Sequence, residues 1–117
     1  MNKFSNKIEV TIKDFKVQNN KFYLKNNGKK GLIVIYAPWC GYCQMLVPIW
    51  KKLAENNDYT IKALNAENEK EGNKRMANQL GVEGFPTIKY IDKNGQIGEN
   101  YQGERNIQDF INFLSQK

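Results

Sequence analysis

Two cysteines separated by two residues, Cys40-Gly41-Tyr42-Cys43, are the residues of this chain best suited to chemistry. A thiolate is the nucleophile in thiol–disulfide exchange, so their use depends on what lowers the proton affinity of one of them. An apolar run ends before them at Pro38-Trp39, and a pattern of helical period follows them. Cys40 therefore stands where a helix opens. The unpaired N–H groups of a first turn, together with the helix dipole, stabilise an anion at that place. The expectation is a Cys40 thiol of depressed pKa, able to attack a substrate disulfide near neutral pH. Cys43 falls one turn inward, within reach of the mixed disulfide such an attack creates. Gly41 is expected to relieve crowding between the two thiols, and Trp39 to offer a flat apolar wall beside the reactive sulfur.

Other uses of the pair fit less well. Zinc takes about four ligands, whereas the chain has two cysteines and no histidine. A metal site would need carboxylates or a second chain. A bridge across so short a segment constrains almost nothing in the unfolded chain, so stability is a poor reason for pairing them. Two inert buried thiols are the bland alternative, and Trp39 taken alone suits a core as well as a site.

The elements that must position the pair follow from periodicity. Ile8, Val10 and Ile12 alternate with polar residues, as in a half-buried strand. In residues 14–27, Asn19-Asn20 can turn a hairpin between Phe15-Lys16-Val17 and Phe22-Tyr23-Leu24, since asparagine tolerates positive φ. A short helix competes there. Gly28-Lys29-Lys30-Gly31 breaks the chain before Leu32-Ile33-Val34-Ile35-Tyr36-Ala37, a run without alternation that suits a central strand covered on both faces. Residues 41–56 carry Leu46, Ile49, Trp50, Leu53 and Ala54 at helical spacing, with Pro48 expected to kink the helix. A strand at 60–65 is followed by a helix capped by Asn73, burying Met76, Ala77 and Leu80 and ending at Gly81. Strands at 87–91 and 96–101 flank an Asn94-Gly95 turn. Asn106 caps a last helix with Ile107, Phe110, Ile111 and Leu114 on one face. That order implies an α/β fold with a mixed sheet between helices.

Bulk properties narrow the function classes. The 117 residues fit one domain, 40% hydrophobic and 26% charged, which is ordinary for a globular chain. No apolar run approaches the ~20 residues of a membrane span. The first residues are polar and hold no hydrophobic signal core, so an intracellular setting is the expectation. The net charge of +6 comes from scattered lysines, with only Lys29-Lys30 and Lys51-Lys52 adjacent. No stripe of interleaved basic and aromatic residues points to nucleic acid. A solvated lysine surface is the simpler account, with a mild preference for acidic partners.

Tyr36-Ala37-Pro38-Trp39-Cys40-Gly41-Tyr42-Cys43 resembles the active-site segment of the thioredoxin superfamily, in particular the catalytic domains of protein disulfide isomerase. Gly84-Phe85-Pro86-Thr87 resembles that family's cis-proline loop, and Pro48 and Gly103-Glu104-Arg105 also match. The resemblance covers residues 32–117, whereas residues 1–31 match only in general layout. It implies a thioredoxin fold over residues 1–117, a central mixed β-sheet with helices on both faces. It implies further that Pro86 is cis and faces the cysteines, and that the Phe85 backbone pairs with an extended substrate by strand addition. Without Cys40, Phe85-Pro86 would read as a turn before a strand.

Four positions depart from the family pattern or qualify it. Where relatives carry a buried carboxylate and its lysine partner, this chain has Val34 and Ala63. Losing both together is coherent, because one buried charge without its partner is strongly destabilising. The resemblance assigns that carboxylate the proton of the inner cysteine, so slow resolution by Cys43 is expected. Arg105 resembles an arginine that favours the inner thiolate, although a solvated surface arginine explains it equally well. Tyr42 replaces a histidine whose charge makes the isomerase disulfide more oxidising, so a poise leaning towards reduction is expected. A glutaredoxin-like pattern is weaker, since the Phe85-Pro86 loop lacks that family's Val-Pro and no Gly-Gly segment follows.

The function expected is a protein disulfide oxidoreductase of reductase or isomerase type, without cofactor or metal. Its nucleophile is Cys40 and its resolving thiol Cys43; Trp39, Phe85 and Pro86 form its substrate face. Its partners would be polypeptide disulfides and a recycling reductase or oxidase, acting on a monomer. The competing expectation is a peptide-binding or chaperone-like module of the same fold with little redox turnover.

Overall fold

A computed structural model describes residues 4–117. In chain order the elements are β1 (Glu9–Val10), a 3₁₀ turn (Ile12–Asp14), β2 (Phe15–Gln18), β3 (Lys21–Leu24), β4 (Gly31–Tyr36), α1 (Gly41–Ala54), β5 (Thr60–Asn65), α2 (Asn73–Gln79), β6 (Thr87–Ile91), β7 (Ile97–Asn100) and α3 (Ile107–Ser115). Five strands form one sheet in the order β1-β5-β4-β6-β7. β1 and β4 both run parallel to β5, while β6 is antiparallel to β4 and β7 to β6. All six residues of β4 are buried, as its unbroken apolar run requires. At its start the backbones close up: a Cβ on Gly31 would fall 1.6 Å from the Thr60 carbonyl oxygen.

The sheet separates two apolar layers. On one side Leu32, Val34 and Tyr36 meet Cys43, Leu46, Trp50 and Leu53 of α1 and Phe110 and Leu114 of α3. Trp50 and Phe110 lock the two helices edge to face at 5.2 Å. On the other side Ile33 and Ile35 meet Met76 and Ala77 of α2 together with Phe15, Phe22 and Leu24. That second face is thus covered by one helix and the β2–β3 hairpin, not by helices alone. The hairpin forms because Asn19 and Asn20 take φ of 52° and 64°, the pair of positive angles a two-residue turn needs.

Two local expectations are corrected. Ile12 does not continue β1. The Thr11 side chain accepts from Lys13 N–H at 3.2 Å while the Asp14 carboxylate accepts Thr11 N–H at 2.8 Å, and this reciprocal cap turns the chain into the 3₁₀ segment. Asn73 does not cap α2. Gly72 occupies the cap with φ 85°, and Asn73 is buried one position inside. Its Oδ1 accepts Ile12 N–H at 2.8 Å and its Nδ2 donates to the Asn65 carbonyl at 3.1 Å. Long-range backbone partners outcompete the local cap. Asn106 does cap α3, accepting Asp109 N–H at 2.8 Å. α1 continues through Pro48, which lies on its exposed side.

Candidate active site

β4 delivers the chain to the site and α1 opens on it. After Tyr36, the N–H of Cys40 donates to the Ala37 carbonyl at 3.1 Å, and the Gln44 side-chain amide donates to the Pro38 carbonyl at 2.8 Å. Both bonds fix the loop between strand and helix. Cys40 is the N-cap of α1, and its Sγ accepts the Cys43 N–H at 3.2 Å. The sulfur thus occupies the place of a capping oxygen, where a first-turn donor points at it. Both thiols are free and buried, at 6% and 1% exposure.

The Cys43 thiol is pushed up to about 12, chiefly by burial and next by its hydrogen bond with Cys40. A backbone hydrogen bond at Ala37 and the charge of Arg105 act in the opposite direction, and are outweighed. Val34 and Ala63 face each other across β4 and β5 and are both fully buried, so neither brings a charge to the core; Glu9, paired with Ala63 from β1, is the carboxylate of that row and accepts the Tyr36 hydroxyl. Arg105 is exposed and lines a small cleft with Pro86 and Tyr101, and its charge is felt at Cys43.

Phe85 and Pro86 approach the site from the other direction. The Phe85–Pro86 peptide bond is cis, and Phe85 meets Trp39 edge to face at 5.9 Å. Trp39 and Tyr42 are 68% and 69% exposed, so the rim around the thiols is aromatic and open. Gly41 is the exposed first residue of α1, and a Cβ there would meet nothing within 4 Å beyond its chain neighbours and its own helix backbone.

Two residues near the site escaped sequence reasoning. The Tyr36 hydroxyl donates to Glu9 Oε2 at 2.5 Å, and burial and that carboxylate hold the phenol well above its ordinary range. Strand alternation made Glu9 an outward polar residue; only the pairing of β1 with β5 brings it to Tyr36. Met45, 67% exposed, extends the apolar rim along α1, and a helical wheel would have found it. Among the described residues, no group of three or more histidine, cysteine or acidic side chains is placed to hold a metal ion.

With this geometry in view, comparison with known proteins is direct. The family model described as Thioredoxin matches residues 8–116. The chain belongs to the thioredoxin family. Protein disulfide isomerase-like 2-2 of Oryza sativa subsp. japonica is 38% identical over 96 residues, covering 79% of this chain and 25% of that protein. Protein disulfide-isomerase erp38 of Neurospora crassa is 39% identical over 93 residues, covering 77% and 25%. The chain therefore spans about a quarter of the length of the curated relatives it matches. Among solved structures, thioredoxin f from spinach chloroplast superposes with a TM-score of 0.68 at 24% identity, covering 93% of this chain and 90% of that one. The sheet and the three helices are those of a thioredoxin fold.

Proposed function

We propose that this thioredoxin domain is a protein disulfide oxidoreductase working by dithiol–disulfide exchange, with no bound cofactor. The observation that carries the reading is the Cys40 sulfur at the N-cap of α1, accepting the Cys43 N–H at 3.2 Å. A donor aimed at that atom stabilises a thiolate there and leaves it poised for attack. The Cys40 thiolate displaces one sulfur of a substrate disulfide, forming a mixed disulfide and releasing a substrate thiolate that takes up a proton. Cys43 then loses its proton and attacks Cys40. The Cys40–Cys43 disulfide forms and the second substrate thiol leaves, with two electrons passed to the substrate. A recycling reductase restores the dithiol; run backwards, the same steps oxidise a substrate. Trp39, Phe85 and Pro86 form the face on which the substrate lies, the Phe85 main chain pairing with it as an added strand. Arg105 favours the inner thiolate, and Tyr42, which adds no positive charge, leans the couple towards reduction.

Cys40→Ser is expected to abolish reduction of a protein disulfide such as that of insulin, and Cys43→Ser to trap a mixed disulfide visible by non-reducing electrophoresis. Activity unchanged in both variants would end this reading. One observation favours a second: the high proton affinity of the buried Cys43 thiol, near which the Val34–Ala63 pair supplies no acid, would slow resolution. A slow enough second step would make the domain a binding module that holds partners. Both serine variants would then keep peptide binding, and wild-type turnover would be negligible.

A further inference from the structure

The outer face of α1 is unusual for a surface helix. From Leu32 to Trp50 the chain has no charged residue, although the helix begins at Gly41 with one side to solvent. An exposed helix face is normally charged or polar. Here Tyr42, Met45 and Pro48 occupy it at intervals of three, all exposed. Trp39, Tyr42 and Met45 are among the four large hydrophobic side chains that stand most exposed among the described residues. So much open apolar surface around one sulfur marks an interaction site.

We infer that Tyr42, Met45 and Pro48 form a second arm of the substrate surface, running along α1 from Cys40, that selects polypeptides with apolar residues next to their disulfide cysteine. The inference rests on the oxidoreductase reading for its disulfide, though not for its apolar contact. At 1.5 Å of rise per residue the arm extends about 9 Å, the reach of roughly three residues of extended chain. Cysteines flanked in this way are buried in folded proteins and accessible in chains that have not finished folding. Continuity with the reactive sulfur favours such a chain over a second copy of this one. The arm carries no charge to steer an acidic or basic partner, and Lys51 and Lys52 come only at the far end of the helix.

The test compares reduction of two short peptide disulfides, one with leucines and one with serines beside the cysteine, with oxidised glutathione as a small control. The wild-type domain is expected to prefer the leucine peptide by about tenfold in kcat/KM, the scale set by covering much of one methionine. Met45→Glu should remove most of that preference and leave glutathione turnover unchanged, while Met45→Leu retains it. The preference should also persist from about 50 mM to 0.5 M salt, unlike a steered contact. No preference in the wild type, or an equal loss on all three substrates, would overturn the inference. So would a wild-type dimer that Met45→Glu dissociates. If none of the disulfides is turned over, the oxidoreductase reading fails separately. Intrinsic tryptophan fluorescence titrated with the reduced leucine peptide then decides the arm: binding that Met45→Glu weakens supports it, and unaltered binding overturns it.

Discussion

Of the two thiols, Cys43 bears the chemical consequence of what surrounds it. Burial, and next its hydrogen bond with Cys40, push it up to about 12 in the dithiol. Burial persists in the mixed disulfide, so the resolving thiolate stays scarce near neutral pH and becomes scarcer on acidification. Resolution in a stopped-flow assay should therefore accelerate with rising pH between roughly pH 6 and 9, approaching tenfold per unit. Val34→Glu with Ala63→Lys is expected to quicken resolution near neutrality and flatten that slope, and an unchanged profile would remove the Val34–Ala63 pair as its cause. Val34→Glu alone should cost about 3 kcal/mol or more, since it buries a charge without its partner. Arg105 acts on the same thiol from the surface. Arg105→Gln should slow resolution about two- to fivefold at low salt and less at high salt, leaving the Cys40 attack alone. An equal effect on both steps would mean that the arginine acts on the substrate instead.

At the scale of elements, one buried amide joins three of them. Asn73, at the start of α2, satisfies the Ile12 N–H and the Asn65 carbonyl and so ties the 3₁₀ turn to the end of β5. Asn73→Ala would leave the part-buried Ile12 N–H without its partner and the Asn65 carbonyl with the Asn68 N–H as its remaining donor, at a cost of about 2 kcal/mol. Asn106→Ala removes only an exposed cap on α3 and should cost about 1 kcal/mol. Urea denaturation distinguishes them, and equal losses would mean that the Asn73 bonds contribute no more than a cap does. Sequence pattern separates the two poorly, because both are asparagines opening a helical period. Their roles differ only in what lies opposite. The hairpin was legible for the converse reason, since Asn19-Asn20 carries its turn geometry within itself.

In the whole molecule, β4 is shared by two apolar layers, one of α1 and α3 and one of α2 and the hairpin. Neither layer closes without the central strand, so both should melt together. Leu53→Ala in the first and Ile91→Ala in the second are each expected to cost about 2–5 kcal/mol. Intrinsic tryptophan fluorescence and far-UV circular dichroism should still report coincident transitions. Separated transitions in either variant would show that the layers fold as independent units. This architecture also explains why catalytic polarity and stability are entangled here: the residues beneath Cys43 belong to the first layer, so any charge placed there is buried in the core.

What the sequence by itself determined was local. The unbroken apolar run made β4 central, helical spacing made α1 and α3, and the position of Cys40-Gly41-Tyr42-Cys43 between strand and helix put one thiol at an N-cap. These follow from backbone periodicity and capping, which act between near neighbours in the chain. Tertiary structure alone decided the meeting of Tyr36 with Glu9, the place of Glu9 beside Ala63 in the sheet, and the bonds of Asn73 to Ile12 and Asn65. Each joins residues of different elements, and their burial and charge act through space, where strand order and register set the distances.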